Sequence, residues 1–229
     1  RAPRLPALAA PGGARPAVTS DGAGEPTVLP SGATQGDTCH IDVVDRDGTM
    51  VSATPSGGWL QSSPTVPGLG FCLGSRAQMT WVEPGLPSSL AGGVRPRTTL
   101  TPSLVTRDGL PHLAFGTPGG DQQDQWSLAF LLAHVHGRLD LQAAIDAPMF
   151  HSTHFPSSFY PRQSSPGQAV VEGRLPDDVV RGLRERGHDV VVAGDWSQGR
   201  LSAAGIEPGT GFLKAGANPR GGQGYAVGR

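Results

Sequence analysis

Cysteine is nearly absent: Cys39 and Cys72 are the only two in 229 residues. A pair in a chain of this size makes neither a disulfide framework nor a metal cage. Charge of one sign is lacking too. The formal net charge is −1 and the pI about 6.7, which leaves no electrostatic footprint for nucleic acid or an anionic membrane surface. No apolar run is long enough to span a bilayer. The first residues lack the apolar centre of a signal peptide, and the chain opens on Arg1. It therefore reads as a processed piece whose compartment is not legible from this end. There is no Gly-x-Ser-x-Gly elbow, and no Lys-Ser/Thr follows Gly120, so the hydrolase-elbow, P-loop and dinucleotide patterns fail. A Ser-His-Asp triad assembled from distant positions stays open. His134 and His136 lie two apart on a predicted helix and point away from each other. His151 and His154 stand in a Pro-rich segment with no thiolate or carboxylate cluster, so no metal or other cofactor is implied.

Glycine (34) and proline (22) are abundant instead. They crowd residues 1–37 and elsewhere punctuate periodic apolar segments, as loops require. Residues 1–37 bury too little apolar surface to offset ordering entropy and read as a flexible tail or linker. Residues 38–56 read as a β-hairpin closed by Asp45-Arg46-Asp47-Gly48, with Ile41 and Val43 alternating. Residues 57–97 form a long irregular excursion in which Trp59, Leu60, Phe71 and Trp81 suggest pocket walls. A second hairpin over 98–118 turns at Asp108-Gly109. A helix is expected from Asp121 to His136, with Leu128, Leu131, Leu132 and Val135 on its apolar face. A shorter helix runs from Asp140 to Ala147, and a third opens at Pro176 and ends at Gly187. Strands are expected at Gln168–Glu172, Asp189–Val192, Arg200–Ile206 and Gly211–Ala215. This order suits stacked sheets with helices outside, an α+β arrangement.

Three places carry possible chemistry. Thr38 stands where the leader gives way to the hairpin. If the chain breaks before it, its freed α-amine becomes the base for its own hydroxyl. Equally, it is a residue type that begins strands. Gly119 and Gly120 lead into a helix, where backbone N–H groups face a ligand unhindered and suit an oxyanion; a plain strand-to-helix turn has the same look. Thr98 and Thr99 offer adjacent hydroxyls for a polar substrate group, or are strand-edge threonines. Ser56 reaches Thr38 if the hairpin returns it alongside.

Taken together these segments resemble the small catalytic subunit of the γ-glutamyltransferase family, made as a precursor and belonging to the N-terminal nucleophile hydrolases. Thr38-Cys39-His40 with the following strand and Asp-Gly turn resembles the family's opening. Arg95-Pro96-Arg97-Thr98-Thr99-Leu100-Thr101-Pro102, Gly116-Thr117-Pro118-Gly119-Gly120, Ala147-Pro148-Met149-Phe150-His151 and Ala217-Asn218-Pro219-Arg220 resemble its later motifs in the same order. The resemblance implies a four-layer αββα sandwich. Residues 1–37 would be the linker ending a large subunit, and 38–229 the catalytic domain. Thr38 would cleave the chain after Asp37 and then attack an amide, with its amine as base. Ser56 would support it, Gly119 and Gly120 would bind the oxyanion, and Thr98 and Thr99 would hold a glutamyl carboxylate. The implied partners are the large subunit of the same precursor and a small γ-glutamyl amide such as glutathione.

The departures fall in the substrate pocket. Gly58 replaces an Asn or Glu that contacts substrate. In Gln78-Met79-Thr80-Trp81-Val82, Trp81 stands in place of the carboxylate that pairs with the glutamyl ammonium, a loss on the order of 2–5 kcal/mol. A γ-glutamyl enzyme, a threonine-nucleophile acylase for another acyl group, and a non-catalytic binding homologue therefore all remain open.

Overall fold

The computed structural model describes residues 38–57, 65–71, 73–74, 76–220 and 224–228. The leader 1–37 and the pocket positions Gly58, Trp59 and Leu60 lie outside the described residues.

Strand β1 (Ile41–Val44) pairs antiparallel with β2 (Met50–Ala53). The Asp45 carboxylate accepts the N–H groups of Asp47 (2.9 Å) and Thr49 (2.8 Å), and Gly48 takes φ +84°, so the turn has the predicted chemistry. The second hairpin joins β3 (Ser103–Arg107) to β4 (Leu110–Gly116). Its two-residue loop, Asp108 (φ 52°) and Gly109 (φ 79°), has both central residues left-handed, as strand twist demands. β4 then pairs with β8 (Ser202–Ile206), which pairs with β9 (Leu213–Ala217), giving a four-stranded antiparallel sheet ordered β3-β4-β8-β9.

Alternation along β4 and β8 sends side chains to two different layers. Leu113, Phe115 and Ala203 join a core with α1 (Gln123–Val135), α2 (Leu141–Asp146) and Leu201. Gly116 and Ser202 point the other way, against the β1–β2 hairpin. The described residues thus supply two β layers and one helical layer of the αββα stack. A third sheet, β5 (Phe150–Ser152), β6 (Gln168–Glu172) and β7 (Asp189–Ala193), includes a single βαβ unit through α3 (Asp177–Glu185).

One predicted face is largely turned away from the core: of its four members only Leu131, partly buried, packs against it. In α1 the buried side chains are Gln123, Trp126, Ser127 and Phe130, while Leu128, Leu132 and Val135 are exposed by 55%, 46% and 49%. The larger aromatic surface, Trp126 with Phe130, is the one turned to the sheet, since burial gain scales with area. The short strand β5 was not expected from the sequence either. The Gln125 side chain holds Ser152 from both sides, accepting its N–H (2.7 Å) and donating to its carbonyl (3.1 Å).

Candidate active site

Continuing the β1–β2 register (Ile41↔Ala53, Asp42↔Ser52) by one residue sets His40 opposite Thr54, and by three sets Thr38 opposite Ser56. The Cys39 N–H donates to the Pro55 carbonyl at 3.2 Å, so the ladder does extend this far. Thr38, His40 and Asp42 therefore share one face of the hairpin with Ser56, Thr54 and Ser52. That face is turned inward. The outward face carries Ile41, Val43 and Val51, exposed by 53%, 50% and 49%. The ordinary polarity of a hairpin on a core is reversed, and the polar rungs are what it buries.

The outermost rung is the candidate nucleophile. Thr38 Oγ1 donates to Ser56 Oγ at 2.8 Å. Ser56 Oγ also accepts from Arg76 Nη2 at 2.7 Å, and Arg76 Nη1 reaches Thr99 Oγ1 at 3.2 Å. Arg76 opens a short 3-10 helix, Arg76–Met79, and its charge lies close to the nucleophile's partner. Sequence reading gave Arg76 no role; nothing in its local pattern marks it, because the contacts span 20 and 23 residues. Thr99 is thus joined to the site and buried, whereas Thr98 is exposed and its hydroxyl accepts the Leu100 N–H at 3.1 Å.

Thr38 lines an open groove of about 800 Å³ together with Pro118, Arg200, Ser202 and Asn218. Gly119 and Gly120 follow Pro118 into the turn before α1. Gly119 has φ +149° and a β-carbon there would lie 2.8 Å from the Trp126 ring, so the turn demands glycine. Thr117, fully buried, accepts the Arg200 N–H at 2.8 Å and ties the turn to the start of β8. The Gly119 carbonyl is held by the Gln123 side chain. That carbonyl is therefore turned to the helix.

Gln78 and Trp81 meet a different neighbour. Arg162 stacks on the Trp81 ring, 4.0 Å from its centroid, and donates to the carbonyls of Thr80 (2.8 Å), Gln78 (3.3 Å) and Ser158 (2.7 Å). Burial pulls its guanidinium pKa below the usual value; the charge of Arg97 adds to this and Asp121 opposes it. Asp121 accepts from the Ser157 hydroxyl (3.1 Å) and the Ser158 N–H (2.7 Å), binding loop 153–165 to the entrance of α1. One face of Trp81 is thereby covered by a cation rather than left for an ammonium group. Cys39 is exposed and unbridged, its side chain on the face opposite Thr38.

The family profile described as Gamma-glutamyltranspeptidase covers residues 15–228. The glutathione hydrolase-like YwrD proenzyme of Bacillus subtilis (strain 168) is 31% identical over 195 residues, which is 84% of this chain and 36% of that protein. The chain thus spans little more than a third of that relative's length. Among solved structures, one described as LmbA2991T421A superimposes with a TM-score of 0.79 at 63% identity, over 86% of this chain and 35% of the other. The cephalosporin acylase of Bacillus halodurans gives 0.68 at 29% identity, over 79% of this chain and 32% of the other. Matched by that profile over all but its first residues, this chain belongs to the γ-glutamyltranspeptidase family, with the fold of the N-terminal nucleophile hydrolases.

Proposed function

We propose that the chain is the catalytic portion of an amide hydrolase or acyltransferase whose nucleophile is Thr38. The observation that carries this reading is the Thr38–Ser56 hydrogen bond, 2.8 Å, at the rim of an open groove shared with Pro118. In the uncut chain Thr38 has no free amine and the protein is an inactive precursor. Attack of the Thr38 hydroxyl on the Asp37 carbonyl converts that peptide bond to an ester and frees the α-amine of Thr38; water then hydrolyses the ester, leaving the Asp37 carboxylate and the free Thr38 hydroxyl. In the mature site the amine takes the hydroxyl proton, and Oγ1 attacks the substrate carbonyl. The N–H groups of Gly119 and Gly120 stabilise the oxyanion, a contribution on the order of 3–4 kcal/mol per donor in comparable sites. Collapse expels the amine and leaves an acyl ester on Thr38, which passes to water or an amino acceptor. Thr99, and beside it Thr98, holds a polar group of the acyl chain.

The substrate is a small amide of the γ-glutamyl class. A second reading is an acylase for another acyl group, favoured by the Arg162 guanidinium lying on Trp81. A zwitterionic glutamyl head group would meet a guanidinium on that ring. The similarity to a cephalosporin acylase structure supports it as well.

The partner is the upstream part of the same precursor. The outward face of the opening hairpin, with Ile41, Val43 and Val51 about half exposed, supports this, because a β layer with an apolar outer face needs a covering layer.

Intact mass of the full-length precursor tests the mechanism. The expected species begins at Thr38, and Thr38→Ala stays uncut and turns over no anilide. A Thr38→Ala protein that cuts and hydrolyses like its parent overturns the proposal. Rates on γ-glutamyl- and glutaryl-p-nitroanilide decide between the two acyl groups.

A further inference from the structure

Immediately inside the Thr38–Ser56 rung lies a chain of four polar groups, His40, Asp42, Thr54 and, half-buried at its end, Ser202. His40 Nε2 is 2.9 Å from Asp42 Oδ1, and the two side chains are exposed by only 1% and 2%. His40 Nδ1 is 2.7 Å from Thr54 Oγ1, and Ser202 Oγ donates to Asp42 Oδ2 at 2.8 Å. An ionised carboxylate only accepts, so Nε2–H donates to Asp42, and Nδ1 accepts the Thr54 hydroxyl proton in the neutral ring. The connectivity is that of a Thr-His-Asp triad, but Thr54 is 7% exposed and no acyl group reaches it. Its hydroxyl serves to hold a strand end, not to attack.

Gly116 is shaped around this pair. A β-carbon there would fall 2.3 Å from His40 Cε1 and 2.7 Å from Nε2, so the inner sheet gives up a side chain to seat the ring. The Ser52 hydroxyl adds a further tie, donating to the Phe115 carbonyl at 3.0 Å.

We propose that the His40–Asp42 pair positions the nucleophile by locking the rung beneath it. The inference rests on the reading of Thr38 as the nucleophile. Once the chain is cut, Thr38 is a terminus and is held from one side only. Its fixings are its own bond to Ser56, the Cys39 N–H to Pro55, and the next inward side chain on its strand, which is His40. His40 spans from the strand that carries Thr38 to Thr54, two residues before Ser56. Asp42, itself anchored to β8 by Ser202, fixes the ring's tautomer and angle. Removing the carboxylate lets the ring turn and the Thr38–Ser56 rung fray. The amine and hydroxyl of Thr38 then lose their register with the oxyanion amides, although no substrate contact is removed.

The test uses the full-length precursor carrying Asp42→Asn, His40→Asn, both together, or Ser202→Ala. Self-cleavage is followed by intact mass. For the cleaved protein, kcat is measured per titrated active site on γ-glutamyl- and glutaryl-p-nitroanilide. Misplacement of a reacting group by about 1 Å costs about 100-fold, so Asp42→Asn should slow both cleavage and kcat by that order, with KM within about threefold. The double variant should be no worse than His40→Asn alone, because the two act as one unit. Ser202→Ala should give a smaller fall with the same split. A purely structural role lowers the amount of folded protein but leaves kcat per titrated site unchanged. That result, or a parental kcat in Asp42→Asn, overturns the inference. If Asp42→Asn does not fold, Ser202→Ala decides, and an unchanged kcat there overturns it equally. A parent that neither cleaves nor forms an acyl ester sinks the functional reading itself, which is a different outcome.

Discussion

Gly116 leaves no room for a β-carbon beside the His40 ring, and the ring cannot swing away, because both its nitrogens are engaged. Gly116→Ala should therefore destabilise the fold by about 1–3 kcal/mol, the cost of overpacking a tight site, seen as a lower urea midpoint at unchanged slope. The first glycine of the Gly-Thr-Pro-Gly-Gly run thus serves His40, while Gly119 serves the turn before α1. His151 is a second residue whose role is set by burial. It sits 5.4 Å from the Trp126 ring and 2% exposed. Burial pulls its pKa from 6.5 to about 4, against an opposing hydrogen bond with Gln198. The unfolded chain then binds a proton between those values that the folded one refuses. The neutral imidazole's contribution is full above 6.5 and is lost as pH falls toward 4. Between pH 7 and pH 5 the loss should be about 2 kcal/mol, and His151→Gln should flatten it in urea titrations at the two pH values. Glu172 does not confuse that window. Burial raises its carboxyl, but hydrogen bonds from Arg220, Gln198 and Met149 outweigh this and set it below 4.5, so its stabilisation fades only at lower pH.

Helix α1 shows where periodicity stops being informative. Its sequence is apolar on two sides, and Leu128, Leu131, Leu132 and Val135 fit a helical stripe as well as Trp126 and Phe130 do. Which side meets the sheet is settled by Leu113 and Phe115 across the layer, residues with no local signal in the helix itself. Phe130→Ala should cost about 3–5 kcal/mol, while Leu128→Ala should stay within about 0.5 kcal/mol, in thermal or urea unfolding. The reverse ranking would restore the stripe drawn from sequence. Both hairpins, by contrast, were readable because Asp-Gly turns act locally, and β6 was read to its boundaries. The site divides in the same way. Motif order points to Thr38, Ser56 and the Gly119–Gly120 turn, and the structure joins the first two through a hydrogen bond of 2.8 Å. His40 belongs to a motif that gives it no role, although the spacing of Thr38, His40 and Asp42 by two places them on one strand face. Arg76 and Ser202 take their meaning only from contacts across 20 and 160 residues, which no window of sequence contains.

At the scale of the whole molecule, the opening hairpin has its polarity turned inside out. Its inward face is a ladder of hydroxyls, an imidazole and a carboxylate, and its outward face presents Ile41, Val43 and Val51. Such a layer is stable only between two others. The β3-β4-β8-β9 sheet satisfies the polar side through Ser202, Gly116 and the Phe115 carbonyl. The apolar side is left for the proposed upstream part of the precursor. Burying three half-exposed aliphatic side chains there would contribute roughly 1 kcal/mol each. Val43→Asp in the precursor would put a charge in the middle of that face without touching the inner ladder. After cleavage the two pieces should then separate on gel filtration at lower urea than the parent pieces do. Leu104→Asp, at a comparably exposed position on β3 (55%), serves as the control and should leave their association unchanged. Equal dissociation of both variants would mean that the outer hairpin face is not the seam, and that the covering layer lies elsewhere on the fold.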